Sequence, residues 1–408
     1  MARSRQQPLE HRLLLTATFC LLAGGAVMVY SASSARTLLE GQGDGTIYLV
    51  KYLIYGALGL VAMQVLARHD LARVRRFTPL LLAGAFVLLV LVLIPGLGVK
   101  VNGARRWLGA GPLTFQPAEV MKLALVLHAA AALSGARRAA PALHTLWRPV
   151  FLPATCAVVL IGAQPDLGTA LVICFTLAAL LVAAGLPLRQ LGLVTAGGAV
   201  AVLVFALVEP YRRARLTAFL DPWAHAGATG FQSVQGQIAI GSGGVFGLGP
   251  GQSVQKVYYL PEAHTDFILA VIGEELGVAG ICALLVLYGM IGYAGLRTAK
   301  AARGTYAKLL AAGLTSLILC QALLNIYTVL GLAPLTGVPL PFISSGSTSL
   351  IVLLCAMGLL LNVASGGTVT LRAVKAPKGK VSRANRDRGR RDGRARGAGH
   401  RGGRRAAG

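Results

Sequence analysis

Residues 258–277 read YYLPEAHTDFILAVIGEELG and hold Glu262, His264, Asp266, Glu274 and Glu275, in a chain with only 14 acids among 408 residues. A polar loop ends here and a hydrophobic run begins, so these charges sit where water meets apolar sequence. A carboxylate at such a border is desolvated at a cost unless it has a partner or a task. Asp266, at the expected N-terminus of the hydrophobic helix, is the best general-base candidate. The helix dipole favours an anion there, and neighbouring carboxylates with partial burial raise its pKa towards useful values. A plain helix cap by Thr265 or Asp266 is the competing reading. Against it, the crowding of Glu262 and His264 exceeds what a cap needs.

Other stretches carry groups suited to an anionic substrate. Residues 102–108 (NGARRWL) and 115–122 (FQPAEVMK) hold Arg105, Arg106, Trp107, Glu119 and Lys122. Arginine presents a planar fork that fits phosphate oxygens, and tryptophan suits either a membrane interface or a sugar face. An interfacial loop anchored on Trp107 is the alternative. Glu119 and Lys122 lie three apart on one helix face, so a structural ion pair stands beside a catalytic role. Residues 210–223 (PYRRARLTAFLDPW) add Arg213 and Arg215 in a run that suits lying on headgroups. Gln237 falls in the glycine-rich stretch 230–251, whose backbone N–H groups suit a pyrophosphate cradle. Ser344 stands in 334–349, rich in proline and serine. Non-helical backbone beside a membrane span is tolerated only when buried in protein or lining a cavity, so this is a shaped loop over a pocket or a structural turn.

The elements that position these groups are membrane spans. Hydrophobic residues make up 55% of the chain and charged residues 13%, about half the roughly 25% of a soluble protein, and the mean hydropathy is positive. The chain is therefore expected to be an all-α polytopic integral membrane protein, with about ten helices of about 20 residues each. The net charge of +25 would suggest nucleic acid in a soluble protein. Here the excess lies in short loops and the C-terminal tail, where topology accounts for it. The six cysteines (Cys20, Cys156, Cys174, Cys282, Cys320, Cys355) lie in apolar runs without metal or CxxC spacing, and read as packing residues.

Hydrophobic runs place spans at 13–31, 48–66, 79–94 and 118–133, two within 150–184 split at Gln164-Pro165-Asp166, and then 188–207, 267–296, 306–329 and 348–363. The basic segments 1–12, 67–77, 136–149, 185–190, 297–308 and the tail 366–408 face the cytoplasm by the positive-inside rule. Both termini are then inside, and 32–47, 95–116, 164–166, 330–347 and a large loop at about 209–265 are outside. The membrane domain is 13–365. The Arg/Gly-rich tail is expected to be disordered and drawn to anionic headgroups, with nucleic-acid or partner contact as the alternatives. Elimination over the acids leaves Glu119, Asp166, Glu209, Asp221, Glu262, Asp266, Glu274 and Glu275 in or next to the outer half of the membrane. Carboxylates there, with basic residues close by, suit a reaction on an anionic lipid-linked substrate.

The motifs NGARRWL (102–108), FQPAEVMKLA (115–124), AQPDLGTAL (163–171), YRRARLTAFLDPW (211–223), GQIAIGSGGVFGLG (236–249), VQKVYYLPEAHTDFILAVIGEELG (254–277) and PLTGVPLPFISSGSTS (334–349) resemble the SEDS family of bacteria, the shape, elongation, division and sporulation proteins of the FtsW/RodA/SpoVE group. They run in family order over about 12–365, and their wording resembles the division and sporulation branch. The resemblance implies a ten-span SEDS fold and a peptidoglycan glycosyltransferase that polymerises lipid II on the outer face of the cytoplasmic membrane during septal wall synthesis. It implies a single-span class B penicillin-binding protein as partner, with other divisome proteins and membrane lipids, and no nucleic acid. It places the family's essential acid on Asp266 and its sensitive positions on Trp107, Glu119, Lys122 and the arginines Arg105 and Arg106. Arg213, Arg215, Gln237, Glu262, His264 and Ser344 are further expected substrate contacts. No metal-ligand cluster stands in the sequence; a divalent cation such as Mg or Mn is an optional helper at the pyrophosphate. Two departures matter: Ser344–Ser349 reads SSGSTS where the family reads SYGGSS, and Tyr327 stands where a small residue is usual. The rival readings are a lipid II flippase, which would carry polar residues through mid-membrane, and a non-catalytic division scaffold recruiting a transpeptidase.

Overall fold

The computed structural model describes residues 8–39, 46–101, 104–110, 113–135, 143–208, 210–257 and 260–366. The basic tail from 367 on, Asn102 and Glu209 lie outside them. Among the described residues, eight helical segments are long and apolar enough to cross a membrane. They are α1 (Leu9–Leu39), α2 (Thr46–Arg68), α3 (Leu71–Leu93), α4 (Pro117–Gly135), the run His144–Ala163, α11 (Ile268–Ala301), α12 (Thr305–Val329) and α13 (Ser347–Ala364). The fifth of these is composite: α5 (Leu143–Leu146), one π-helical stretch over Trp147–Phe151, and α6 (Leu152–Ala163). The described residues add one shorter apolar helix, α7 (Leu167–Ala183), and the 21-residue helix α8 (Leu188–Val208).

Local chemistry sets the boundaries. Asp70 caps α3 by accepting the Ala72 N–H at 3.0 Å, so the arginines 73, 75 and 76 ride on the first turns of that helix rather than in a separate loop. Pro117 opens α4, where its missing N–H has no helical acceptor to miss. The expected break at 164–166 is present: Asp166 caps α7 by accepting the Thr169 N–H at 3.1 Å. Buried apolar side chains of α4, α11, α12 and α13 form the centre of the bundle. There α13 packs on α2, α11 on α1 and α12, and α12 on α4 and α7.

Two connections are more ordered than a glycine-rich loop suggests. Within 95–116 lies a three-stranded antiparallel sheet, β1 (Gly98–Val101), β2 (Ala104–Ala110) and β3 (Leu113–Phe115), ordered β1-β2-β3. Within 209–265, α9 (Pro210–Leu220) and α10 (Phe231–Gly243) precede a coil that runs beside α11. That helix is broken at Gly277, at φ 65 and ψ −163, nine residues after Ile268 or about 14 Å along the axis. A Cβ at 277 would strike Gly247 N and Val245 O, so only glycine fits. The backbone groups freed by the break find partners in the coil. Leu248 N and Gly249 N donate to Glu274 O and Glu275 O at 2.9 and 3.0 Å, and Val278 N and Ala279 N donate to Gly244 O and Val245 O, both at 3.0 Å. This corrects the reading of the glycine-rich run as a pyrophosphate cradle: the N–H groups of Leu248 and Gly249 are taken by α11, and that of Gly247 by Gly243 O at 2.8 Å.

Candidate active site

The site forms where the segment entering α11 meets the proline-rich loop between α12 and α13. Prolines 334, 339 and 341 have no N–H to offer, so the loop is rich in carbonyls, and side chains from four helices bind them. On one face of α12, at i, i+4 and i+7, Gln321 donates to Pro339 O at 3.0 Å, Asn325 to Val338 O at 2.7 Å and Thr328 to Pro334 O at 3.4 Å. Tyr52 of α2 donates to Phe342 O at 2.6 Å, Tyr288 of α11 to Pro341 O at 2.7 Å and Arg215 of α9 to Leu335 O at 3.3 Å. This is how irregular backbone is satisfied beside membrane helices.

The same loop grips the 262–266 segment. Ser344 Oγ donates to Thr265 O at 2.6 Å and accepts the Leu340 N–H at 2.8 Å. Ser345 donates its N–H and its hydroxyl to His264 O at 3.2 and 2.8 Å, and Asn325 Nδ2 donates to Asp266 O at 2.8 Å. The Ser/Thr run that departs from the family pattern is therefore a set of hydroxyl ties. Thr348 Oγ1 accepts the Gln116 N–H at 3.1 Å, and Ser349 Oγ accepts from Gln321 Nε2 at 3.3 Å. Tyr327, the other departure, is exposed on the outer face of α12.

Asp266 does not cap α11. The cap position is Phe267, and no side chain hydrogen-bonds there. The partly buried carboxyl faces Gly337, whose positive φ of 69° lets the chain pass; a Cβ there would lie 3.3 Å from Oδ2. Burial, then the Glu262 carboxylate and the more weakly felt Asp166 carboxylate, push its pKa up to about 7, while the Arg106 and Arg215 guanidiniums pull the other way. A carboxyl near 7 holds a proton about as readily as it gives one up, which is what acid–base chemistry at neutral pH needs.

The other expected residues divide by position. Arg106, Arg215 and Glu262 surround Asp266 electrostatically. Arg106, on β2, donates from Nε to Gln164 O at 3.1 Å and from Nη2 to Pro165 O, so the α6–α7 turn aims it. Glu262 accepts the Thr265 hydroxyl at 2.9 Å, and the His264 ring stacks at a tilt on Tyr48, 4.6 Å between centroids. Arg105 and Arg213 are exposed, and Trp107 is half-buried opposite Val99. Gln237 of α10 lies against Gly331. Glu119 and Lys122 are 1% exposed and pair with each other at 2.8 Å, and Lys122 also donates to Gln321 Oε1 at 2.6 Å. They brace the helix that holds the loop. Asp166 is occupied by Gln116 Nε2 at 3.1 Å and Thr169 Oγ1 at 2.9 Å. Gln321, Asn325 and Thr328 were not picked out from sequence, although their spacing on one helical face was the available signal. Among the described residues no group of three or more His, Cys, Asp or Glu side chains is arranged to hold a metal ion, so the divalent cation has no protein-built cage among them.

A bundle of membrane helices, with a partly buried carboxyl just ahead of a broken helix, is the class these features define. Residues 11–368 match the FtsW/RodA/SpoVE family model, described as "Cell cycle protein". Stage V sporulation protein E of Bacillus subtilis (strain 168) is 40% identical over 358 residues, covering 86% of this chain and 96% of its own length. A protein of Thioalkalivibrio sulfidiphilus named "Probable peptidoglycan glycosyltransferase FtsW" is 42% identical over 357 residues, covering 86% and 88%. Among solved structures, a chain from one described as "Structural coordination of polymerization and crosslinking by a peptidoglycan synthase complex" aligns with a TM-score of 0.72 at 31% identity, covering 86% of this chain and 97% of that one. The rod shape determining protein RodA of Thermus thermophilus aligns with a TM-score of 0.64 at 29% identity, covering 89% and 98%. The chain belongs to the FtsW/RodA/SpoVE family, as the motifs led one to expect.

Proposed function

We propose that this chain is a peptidoglycan glycosyltransferase that polymerises lipid II on the outer face of the cytoplasmic membrane, with Asp266 as the general base. The observation that carries the reading is the placement of the Asp266 carboxyl just ahead of α11, facing Gly337 of the proline-rich loop, with Arg106 and Arg215 near enough to act on it electrostatically. Its relatives' names and its family membership support the substrate class. In the reaction, Asp266 takes the proton of the acceptor sugar's 4-hydroxyl as that oxygen attacks the anomeric carbon of the lipid-linked donor. The glycosidic bond forms with inversion, the bond to the pyrophosphate breaks, and undecaprenyl pyrophosphate leaves with the electron pair. Arg106 and Arg215 stabilise the charge that develops on the leaving group, acting as preorganised donors, with the exposed Arg105 and Arg213 as outer contacts. No step is routed through a metal ion.

A class B penicillin-binding protein is the proposed partner, supported by the likeness to a chain from a complex described as coordinating polymerisation and crosslinking. Cytoplasmic termini and action at the division septum complete the proposal, supported by the basic segments and the division-type relatives. The test is lipid II polymerisation in detergent, with the purified protein alone and with its partner made transpeptidase-dead. Long glycan from wild type and none from a folded Asp266→Asn variant is the expected result. Equal polymer from both would remove Asp266 from the mechanism.

A further inference from the structure

About 10 Å below the head of α11, seven residues on from Ile268, the adjacent carboxylates Glu274 and Glu275 are both buried, and the reaction above uses neither. Glu274 accepts the Ser253 hydroxyl at 2.5 Å and the Val254 N–H at 3.0 Å, with the Gln255 N–H at 3.3 and 3.4 Å from its two oxygens. Glu275 accepts the hydroxyl of Ser31, on α1, at 2.6 and 2.9 Å, and pairs with the buried Lys256 at 2.8 Å. The Lys256 ammonium also donates to Ser31 Oγ at 3.1 Å and to Gly251 O at 2.8 Å, so each of its three N–H donors has an acceptor.

We infer that Lys256 and Glu275 are positioning residues for Asp266: their buried ion pair fixes the segment that leads into the catalytic corner against α11 and α1. The inference rests on the reading of Asp266 as the base. Lys256 stands ten residues before Asp266. Among the described residues between them, Leu260 N donates to Gln255 O at 2.9 Å and Thr265 N to Glu262 O at 3.1 Å, and Gln232 of α10 donates to Pro261 O at 3.1 Å at the exposed edge. Its buried grips are thus at 264–266, by the α12–α13 loop and Asn325 of α12, and at 253–256, by the glutamates. A buried ion pair is no better for stability than apolar residues of the same volume, and is often worse. What three directed hydrogen bonds add is direction, because apolar contacts slide and an ammonium with three fixed acceptors does not.

The discriminating variant is Lys256→Met/Glu275→Leu in the full chain, which removes both charges and leaves neither buried alone. Measured against wild type are the thermal midpoint, amide hydrogen exchange over 253–260, and the lipid II dependence and pH dependence of polymerisation. The expected result is a folded protein in which those amides exchange at least about tenfold faster. Its kcat falls about 10- to 100-fold, the size expected when a reacting group is misplaced by about 1 Å, and KM changes by less than about twofold. The acid limb moves to lower pH as Asp266 gains water; the charged groups acting on Asp266 are Glu262, Asp166, Arg106 and Arg215, and none is altered. Wild-type kcat and pH profile in the folded double variant, or unchanged exchange over 253–260, would overturn the inference. If the double variant does not fold, Lys256→Arg, which keeps the charge but changes its reach, takes its place with the same two sets of outcomes. Asp266→Asn is run alongside. Activity in that variant removes the base assignment, whereas the exchange and kcat of the double variant judge the clamp whichever group takes the proton.

Discussion

Asn325 spans the two halves of the site: a single amide nitrogen lies 2.8 Å from the Asp266 carbonyl and 2.7 Å from the Val338 carbonyl. One side chain of α12 therefore registers the segment entering α11 against the proline-rich loop. Asn325→Leu leaves two buried carbonyls without this donor, at about 1–3 kcal/mol each. Polymerisation should fall by at least about tenfold in protein that still purifies as a folded species. Activity and thermal midpoint measured together check it, since a purely global effect would lower the midpoint and spare the rate of the folded fraction.

The pH profile carries a sign. A base must be deprotonated, so kcat/KM should fall about tenfold per unit as pH drops below about 7, the value to which burial and Glu262 raise Asp266. Glu262→Gln removes a repelling carboxylate and should move that limb to lower pH. Arg215→Met removes an attracting cation and should move it up. Shifts of opposite direction, each up to about one unit, are the expected pair. Identical limbs in all three proteins would detach the pH dependence from Asp266.

Lys122 and Glu119 form a buried pair, so breaking one side should be worse than removing both. Lys122→Met leaves Glu119 charged and buried, at about 3–5 kcal/mol, whereas Lys122→Met/Glu119→Leu should recover most of that loss. Folded yield and thermal midpoint across the two singles and the double decide this. A double variant no better than the worse single would show that more than the pair is involved.

Gly337 sits at positive φ with the Asp266 carboxyl in front of it. Gly337→Ala should cost about 1–2 kcal/mol in backbone strain and place a methyl 3.3 Å from Oδ2. Activity should fall more than stability does. Comparing initial rates with the unfolding midpoint separates the two.

Much of this was legible in the sequence because hydropathy and charge are local. The spans and the break at Gln164-Pro165-Asp166 follow from residues close together in the chain, and elimination narrowed the acids to eight, Asp266 among them. What was not legible depended on distant partners. Lys256 reads as one more cation in a polar loop, and only the fold brings Glu275 and Ser31 to it, 19 and 225 residues away. The sheet at 98–115 was hidden by glycines that mask the alternation of a strand, and by a register shift between Val99 and Lys100. The glycine-rich run suggested a ligand cradle because free N–H groups look alike in sequence. Its true acceptors, the carbonyls of Glu274 and Glu275, exist only because Gly277 breaks the helix that should have used them.

That break also sets an order of manufacture. The N-terminal third of α11 ends in backbone groups that hydrogen-bond to 244–249 rather than to its own next turn, and such groups are costly to bury in lipid unmatched. The partner segment lies upstream and leaves the ribosome first, as N-terminal portions do. When α11 emerges, the strip of chain that completes it has already been made, so the broken helix has a template to close against from the moment it is inserted.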